Sequence, residues 1–158
     1  MKQWRWSVLV PVLVLFATAC SSSSTSSPSS APPAPPAGAS SATGDVSVAL
    51  NQWSVTPNTT TFSAGPASFT VTNQGTMDHE FVVLRTKTQV ADIPVTSFEG
   101  ESGRINEDTA GTNVGETGDL AAGATKSVTV DLKPGHYVFF CNLPGHYQSG
   151  MHVDVTVS

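Results

Sequence analysis

The sequence is short of charge and shorter still of bases: charged residues make up 12% of it, with seven Lys and Arg against twelve Asp and Glu. That acidic balance argues against a nucleic-acid partner and favours one with a basic docking face. Cysteine is scarce too, at two residues. Cys20 and Cys141 each have a better individual use than pairing, so no disulfide is expected. No stretch after residue 44 carries a long, capped 3.6-residue period, which excludes a helical domain. The apolar run Val8 to Phe16, interrupted by Pro11, falls short of the roughly 20 residues a spanning helix needs. With 158 residues, 39% of them hydrophobic, there is room for one core.

What is present begins with a leader. Lys2 and Arg5 precede the apolar run, and the small residues Ala17, Thr18 and Ala19 precede Cys20. Residues 1–19 are therefore read as an export signal peptide, and the product as extracytoplasmic. The end of the leader resembles the bacterial lipobox, with Ala17 where Leu is usual. The resemblance implies a lipidated Cys20 that anchors the protein to the outer face of a bacterial membrane as a lipoprotein. Ala17-Thr18-Ala19 also satisfies an ordinary A-x-A cleavage rule, which leaves Cys20 a free thiol and the protein secreted. Lipidation is preferred, because an exposed lone thiol is a liability outside the cell. With Lys2 and Arg5 removed, the mature chain carries a net charge of −7 in place of −5.

Residues 20–44 are almost wholly Ser, Pro, Ala, Thr and Gly. Such a segment buries too little surface to offset its ordering entropy, so it is expected to be a disordered linker. From Asp45 to Ser158 the pattern changes to short apolar alternations punctuated by Gly, Pro and Asn, which predicts an all-β sandwich or barrel. Val46, Val48 and Leu50 alternate, Trp53 and Val55 extend the apolar set, and Phe69 and Val71 define a strand that closes at Asn73-Gln74-Gly75. The run Phe81-Val82-Val83-Leu84 is apolar on both parities, which predicts a strand covered on both faces. Its expected cover is the segment 89–120, where seven carboxylates face the single base Arg104. Long connections of this kind are usually functional or mobile.

The chemistry concentrates between Gly135 and Met151. Cys141, His146 and Met151 follow one another at five-residue steps on an apolar strand that turns into a Pro/Gly loop. Thiolate, imidazole and thioether form a soft ligand set, and a blue-copper site needs one more imidazole. Strand parity selects it from the remaining histidines. If Cys141 faces inward, so do Phe139 and Tyr137, and His136 faces out; His152 is outward next to Met151. His79 shares parity with Phe81 and Val83, so it is chosen as the fourth ligand.

Asn73-Gln74-Gly75 with His79-Glu80-Phe81, Pro134-Gly135-His136-Tyr137, and Cys141-x4-His146-x4-Met151 resemble the cupredoxins, the small blue-copper proteins. The loop spacing is similar to the rusticyanin, auracyanin and sulfocyanin types and one residue longer between His and Met than in azurin. The resemblance spans 45–158 and implies a Greek-key β-sandwich holding one copper ion, Cu(I)/Cu(II), on His79, Cys141, His146 and Met151. It also implies a tyrosine corner at Tyr137. Glu80 departs from the family, which often carries a small polar residue there, and segment 89–120 has no counterpart in the smallest members. The function this implies is single-electron transfer between extracytoplasmic redox partners by a monomer that is not an enzyme. Its electron exit is His146, rimmed by Leu143, Pro144 and Tyr147. Copper carriage and delivery is the alternative, with Met77 and His152 as extra ligands near the site.

Overall fold

From Asp45 onward the alternating apolar positions become strands. In the computed structural model, which describes residues 44–158, these are β1 (Asp45–Asn51), β2 (Ser54–Pro57), β3 (Thr61–Phe62), β4 (Gly65–Asn73), β5 (Val82–Arg85), β6 (Val95–Phe98), β7 (Glu101–Ile105), β8 (Thr112–Glu116), β9 (Thr125–Leu132), β10 (Gly135–Phe140) and β11 (His152–Val157). The expected signal peptide, Cys20 and the expected linker up to residue 43 lie outside the described residues. One sheet runs β2-β1-β4-β9 and the other β3-β11-β10-β5-β8, while β6 and β7 form a separate hairpin. The chain crosses between the two sheets at β2–β3, β3–β4, β4–β5, β8–β9 and β9–β10, as Greek-key sandwich connections do.

The period-two alternation decides which side chains meet between the sheets. In β4, Ala67, Phe69, Val71 and Asn73 are buried while the residues between them are partly or fully exposed. Phe69 packs its ring against Phe62, Phe81 and Phe139, with centroids 5.2 to 5.9 Å apart. Tyr137 is fully buried beside them, and its hydroxyl both donates to the Lys133 carbonyl and accepts from the Lys133 N–H, each at 2.9 Å. That is the tyrosine corner implied above. Trp53, expected with the apolar set, is instead 44% exposed.

The second sheet is apolar on both faces, as the Phe81–Leu84 run requires. Val83, Tyr137 and Phe139 face the sandwich core. Val82, Leu84, Val138 and Phe140 face outward and are covered by Ile93 and Ile105 of segment 89–120. Burying each such side chain contributes about 1.5–3 kcal/mol, which keeps this otherwise polar segment on the sheet. It holds the β6–β7 hairpin, a 3₁₀ turn at Val90–Asp92 and the four-residue α1 (Glu107–Ala110). Asn106 caps α1 by accepting the Thr109 N–H. No helix among the described residues is long and apolar enough to cross a membrane.

Register then sets where the chemistry falls. Phe140 lies opposite both Val82 of β5 and His152 of β11. The segments before β5, after β10 and before β11 therefore converge at one end of the sandwich, and they carry His79, Cys141 and Met151.

Candidate metal centre

His79 is placed by a tight turn. The Asn73 side chain is fully buried, donates to the Met77 and Leu120 carbonyls at 2.8 and 2.7 Å, and accepts the Gly75 N–H at 2.9 Å. His79 itself pairs its backbone in both directions with Leu120. A Cβ at position 75 would stand 2.8 Å from His79 Nε2, so glycine there lets the turn close onto the imidazole. That Nε2 is buried without a hydrogen-bond partner, which leaves Nδ1 as the nitrogen that faces the other donors.

Cys141 follows β10 and opens a loop of successive turns. Its N–H donates to the Met151 carbonyl, the His146 N–H to Leu143, and the Met151 N–H back to His146, at 3.0, 3.0 and 3.1 Å. Gly145 takes the left-handed φ of +79° that this reversal needs. The loop thus returns Met151 to the residue that began it. Met151 is fully buried in the same core cluster as Cys141.

Three donors converge. The Nδ1 atoms of His79 and His146 are 3.2 Å apart, and Cys141 Sγ is 3.3 Å from His146 Nδ1. All three lie within 4.8 Å of one another, and they form the one group of His, Cys, Asp and Glu among the described residues with metal-holding geometry. The Glu80 N–H donates to Sγ at 3.2 Å. Burial, aided by the neighbouring His146, lowers the His79 pKa, and burial lowers that of His146. Both rings thus favour the neutral form, whose free nitrogen is a ligand. Burial also pushes the Cys141 thiol up to about 11, so forming its thiolate near neutral pH needs a cation beside it.

The expected rim is partly corrected. Pro144 is exposed and Leu143 half-buried, but Tyr147 is only 5% exposed and turns away from solvent. Its hydroxyl donates to the Val90 carbonyl at 2.6 Å, and its ring meets Phe140 and His152 in the outer cluster. The apolar packing offered by segment 89–120 overrides the loop position. His136 is half-buried against Asp154, its Nε2 2.7 Å from the carboxylate, and neither it nor His152 joins the cluster. What sequence reasoning missed is Trp53, whose ring stands edge-on to His146 with centroids 5.3 Å apart. Also missed was Arg104, although its isolation among seven carboxylates was a usable signal. It is 7% exposed and donates from Nε to the Asn142 carbonyl at 2.7 Å.

Residues 42–158 match the family model described as "Sulfocyanin (SoxE) domain". No curated protein matches the chain. Among solved structures, auracyanin from Roseiflexus castenholzii is similar at 24% identity and TM-score 0.57, over 77% of this chain and 99% of its own. Auracyanin B is similar at 24% and 0.55, over 72% and 88%. Auracyanin A of Chloroflexus aurantiacus, described as a "blue" copper protein, matches at 20% and 0.51, over 73% and 100%. At these identities the likeness is one of fold.

Proposed function

Because the chain belongs to the sulfocyanin domain family of the cupredoxins, we propose that it is a one-electron carrier with a single mononuclear copper held by His79, Cys141, His146 and Met151. The observation that carries this reading is the convergence of two imidazole nitrogens and one thiol sulfur within 4.8 Å. The donor set fits the metal: neutral imidazoles and a thiol, with a buried thioether on the loop that closes onto Cys141, suit copper better than a hard cation. When bound, copper supplies the Cu(I)/Cu(II) couple.

The residues do the rest. His79 and Cys141 are fully buried and tied into the sandwich through their backbones, so the cage resists rearrangement when its charge changes. The Glu80 N–H at 3.2 Å supports negative charge on Sγ. His146 is only partly buried and reaches the surface among Leu143, Pro144 and Trp53. Met77, 40% exposed, and Trp53 are the large apolar side chains left in solvent among the described residues. This rim suits brief docking, and the acidic surface favours a redox partner with a basic face. The reading assigns no enzymatic step. It takes the protein as a monomer, exported by residues 1–19, anchored through lipid on Cys20, and reaching its partners on the 20–44 linker from the domain 45–158.

The structure does not favour the copper-delivery alternative, because the His152 ring lies tilted against Tyr147 of the outer cluster, centroids 4.7 Å apart, and does not join the donor group. Titrating the full chain with Cu(II) tests the proposal. An intense visible band that a reductant bleaches reversibly, and that Cys141→Ser abolishes, is expected. A colourless protein that takes only Cu(I) would overturn electron transfer in favour of delivery. Mass spectrometry of the mature N-terminus tests the anchor, and an unmodified Cys20 would remove it.

A further inference from the structure

Segment 89–120 does more than cover a sheet. At each of three donor residues it touches the backbone or the adjoining side chain. Leu120 pairs with the backbone of His79 in both directions. The Gly145 N–H, next to His146, donates to the Gly103 carbonyl at 2.9 Å, and Tyr147, on its other side, donates to Val90. Asn142, next to Cys141, is 1% exposed. Its side chain accepts the Ile105 N–H at 2.7 Å and donates to the Ile105 carbonyl and Glu107 Oε1 at 3.0 and 2.7 Å.

Arg104 stands at the centre of these contacts. Its Nε donates to the Asn142 carbonyl at 2.7 Å, and its Nη2 lies 3.7 Å from Glu80 Oε2. On its other side it meets the exposed carboxylates of Glu99 and Glu101 at 2.9 and 3.5 Å. Glu80 is 8% exposed, and its Oε2 has no hydrogen-bond partner. A carboxylate so placed is costly, and a facing cation offsets part of that cost. Arg104 is the cation that faces it, at 3.7 Å and without a hydrogen bond, and the same guanidinium grips the backbone just after Cys141.

We propose that Arg104 is a positioning residue of the metal centre: it links the carboxylate that follows His79 to the carbonyl that follows Cys141, holding the thiol and imidazole segments in register. The inference rests on the copper reading for its electronic consequence. The Glu80 N–H that reaches Sγ belongs to the residue Arg104 holds, so loosening Arg104 loosens the contact on sulfur. Its charge acts as well. A nearby cation disfavours the more positive oxidised ion, and its loss favours that ion.

The test compares Arg104→Gln and Arg104→Lys with the wild-type full chain. In Arg104→Gln the copper hyperfine splitting and the visible band should shift. The redox equilibrium should move roughly tenfold toward the oxidised ion, about 59 mV downward for one electron. In the copper-free protein, exchange of the Glu80 amide hydrogen should accelerate by about tenfold or more, since opening free energy sets that rate. Arg104→Lys keeps the charge without the planar fork, so it should restore most of the potential but not the spectrum. Wild-type spectrum, potential and Glu80 exchange in both variants, whatever their melting temperatures, would overturn the proposal. If Arg104→Gln does not fold, Arg104→Lys decides through spectrum and exchange. A wild-type protein that gives no coloured copper adduct would overturn the reading of the centre, while the copper-free exchange still decides whether Arg104 braces the two segments.

Discussion

At the scale of single residues, the candidate centre depends on close approaches that admit little change. Gly75 is one: an added Cβ would fall 2.8 Å from His79 Nε2 and 2.6 Å from Gln52 Oε1. Gly75→Ala is therefore expected to push the imidazole toward the other donors. The cost is about 1–3 kcal/mol of overpacking, read as a lower melting temperature together with weaker copper affinity in a competition titration. Tyr137 is the control. Tyr137→Phe removes both Lys133 hydrogen bonds and should cost about 1–3 kcal/mol, because the Lys133 N–H loses its partner. Its visible spectrum should remain that of the wild type, since Tyr137 serves packing; a changed spectrum would show that the corner reaches the metal.

At the scale of elements, the segment between β5 and β9 behaves as part of the core. Its Ile93 and Ile105 complete a second apolar cluster, and Glu107 of α1 accepts from Asn142 at 2.7 Å and from Asn113 at 2.6 Å. Burial first, opposed by these donors and reinforced by nearby Glu116, raises the Glu107 pKa above 4.5. The folded chain therefore retains a proton there that the unfolded chain has lost. The associated stability is fully present below 4.5 and declines as pH rises through the raised folded value. Glu107→Gln should flatten that part of the pH profile of chemical denaturation. It should also destabilise the fold at every pH, because its amide group brings a donor against one of two amide donors. A profile parallel to the wild type would show that Glu107 does not titrate in this window.

At the scale of the whole molecule, an apolar rim adjoins an acidic hairpin, which meets the His146 loop through the Gly145–Gly103 hydrogen bond. The sandwich end around His146 presents Trp53, Leu143 and Pro144, while Glu99 and Glu101 on the hairpin are more than half exposed. The chain as a whole carries −5. Electron transfer to a basic partner such as a cationic cytochrome should therefore slow as salt rises, because the screening length falls from about 10 Å at 0.1 M to about 3 Å at 1 M. Stopped-flow rates at several ionic strengths measure this. Rates that rise with salt would reverse the assigned charge of the partner.

The β-sandwich and the core face of most strands were legible in the alternation of residues, because a period of two admits one burial pattern. That Cys141 and His146 would lie together was legible because a thiol and an imidazole five residues apart on one turning loop have few other uses, and they do meet, with His79, within 4.8 Å. Parity also placed His79 with Cys141 and His146, since the segment that leads into β5 takes His79 and Phe81 into the core together. What depended on contacts between distant segments was not legible. Tyr147 reads as a rim residue until Val90 and Phe140 enclose it, and Trp53 reads as core until its ring is found against His146. Segment 89–120 reads as an acidic loop. Only folding sets its Arg104 between Glu80 and Asn142, 24 residues before it and 38 after it, where one buried cation answers a buried carboxylate and a backbone carbonyl together.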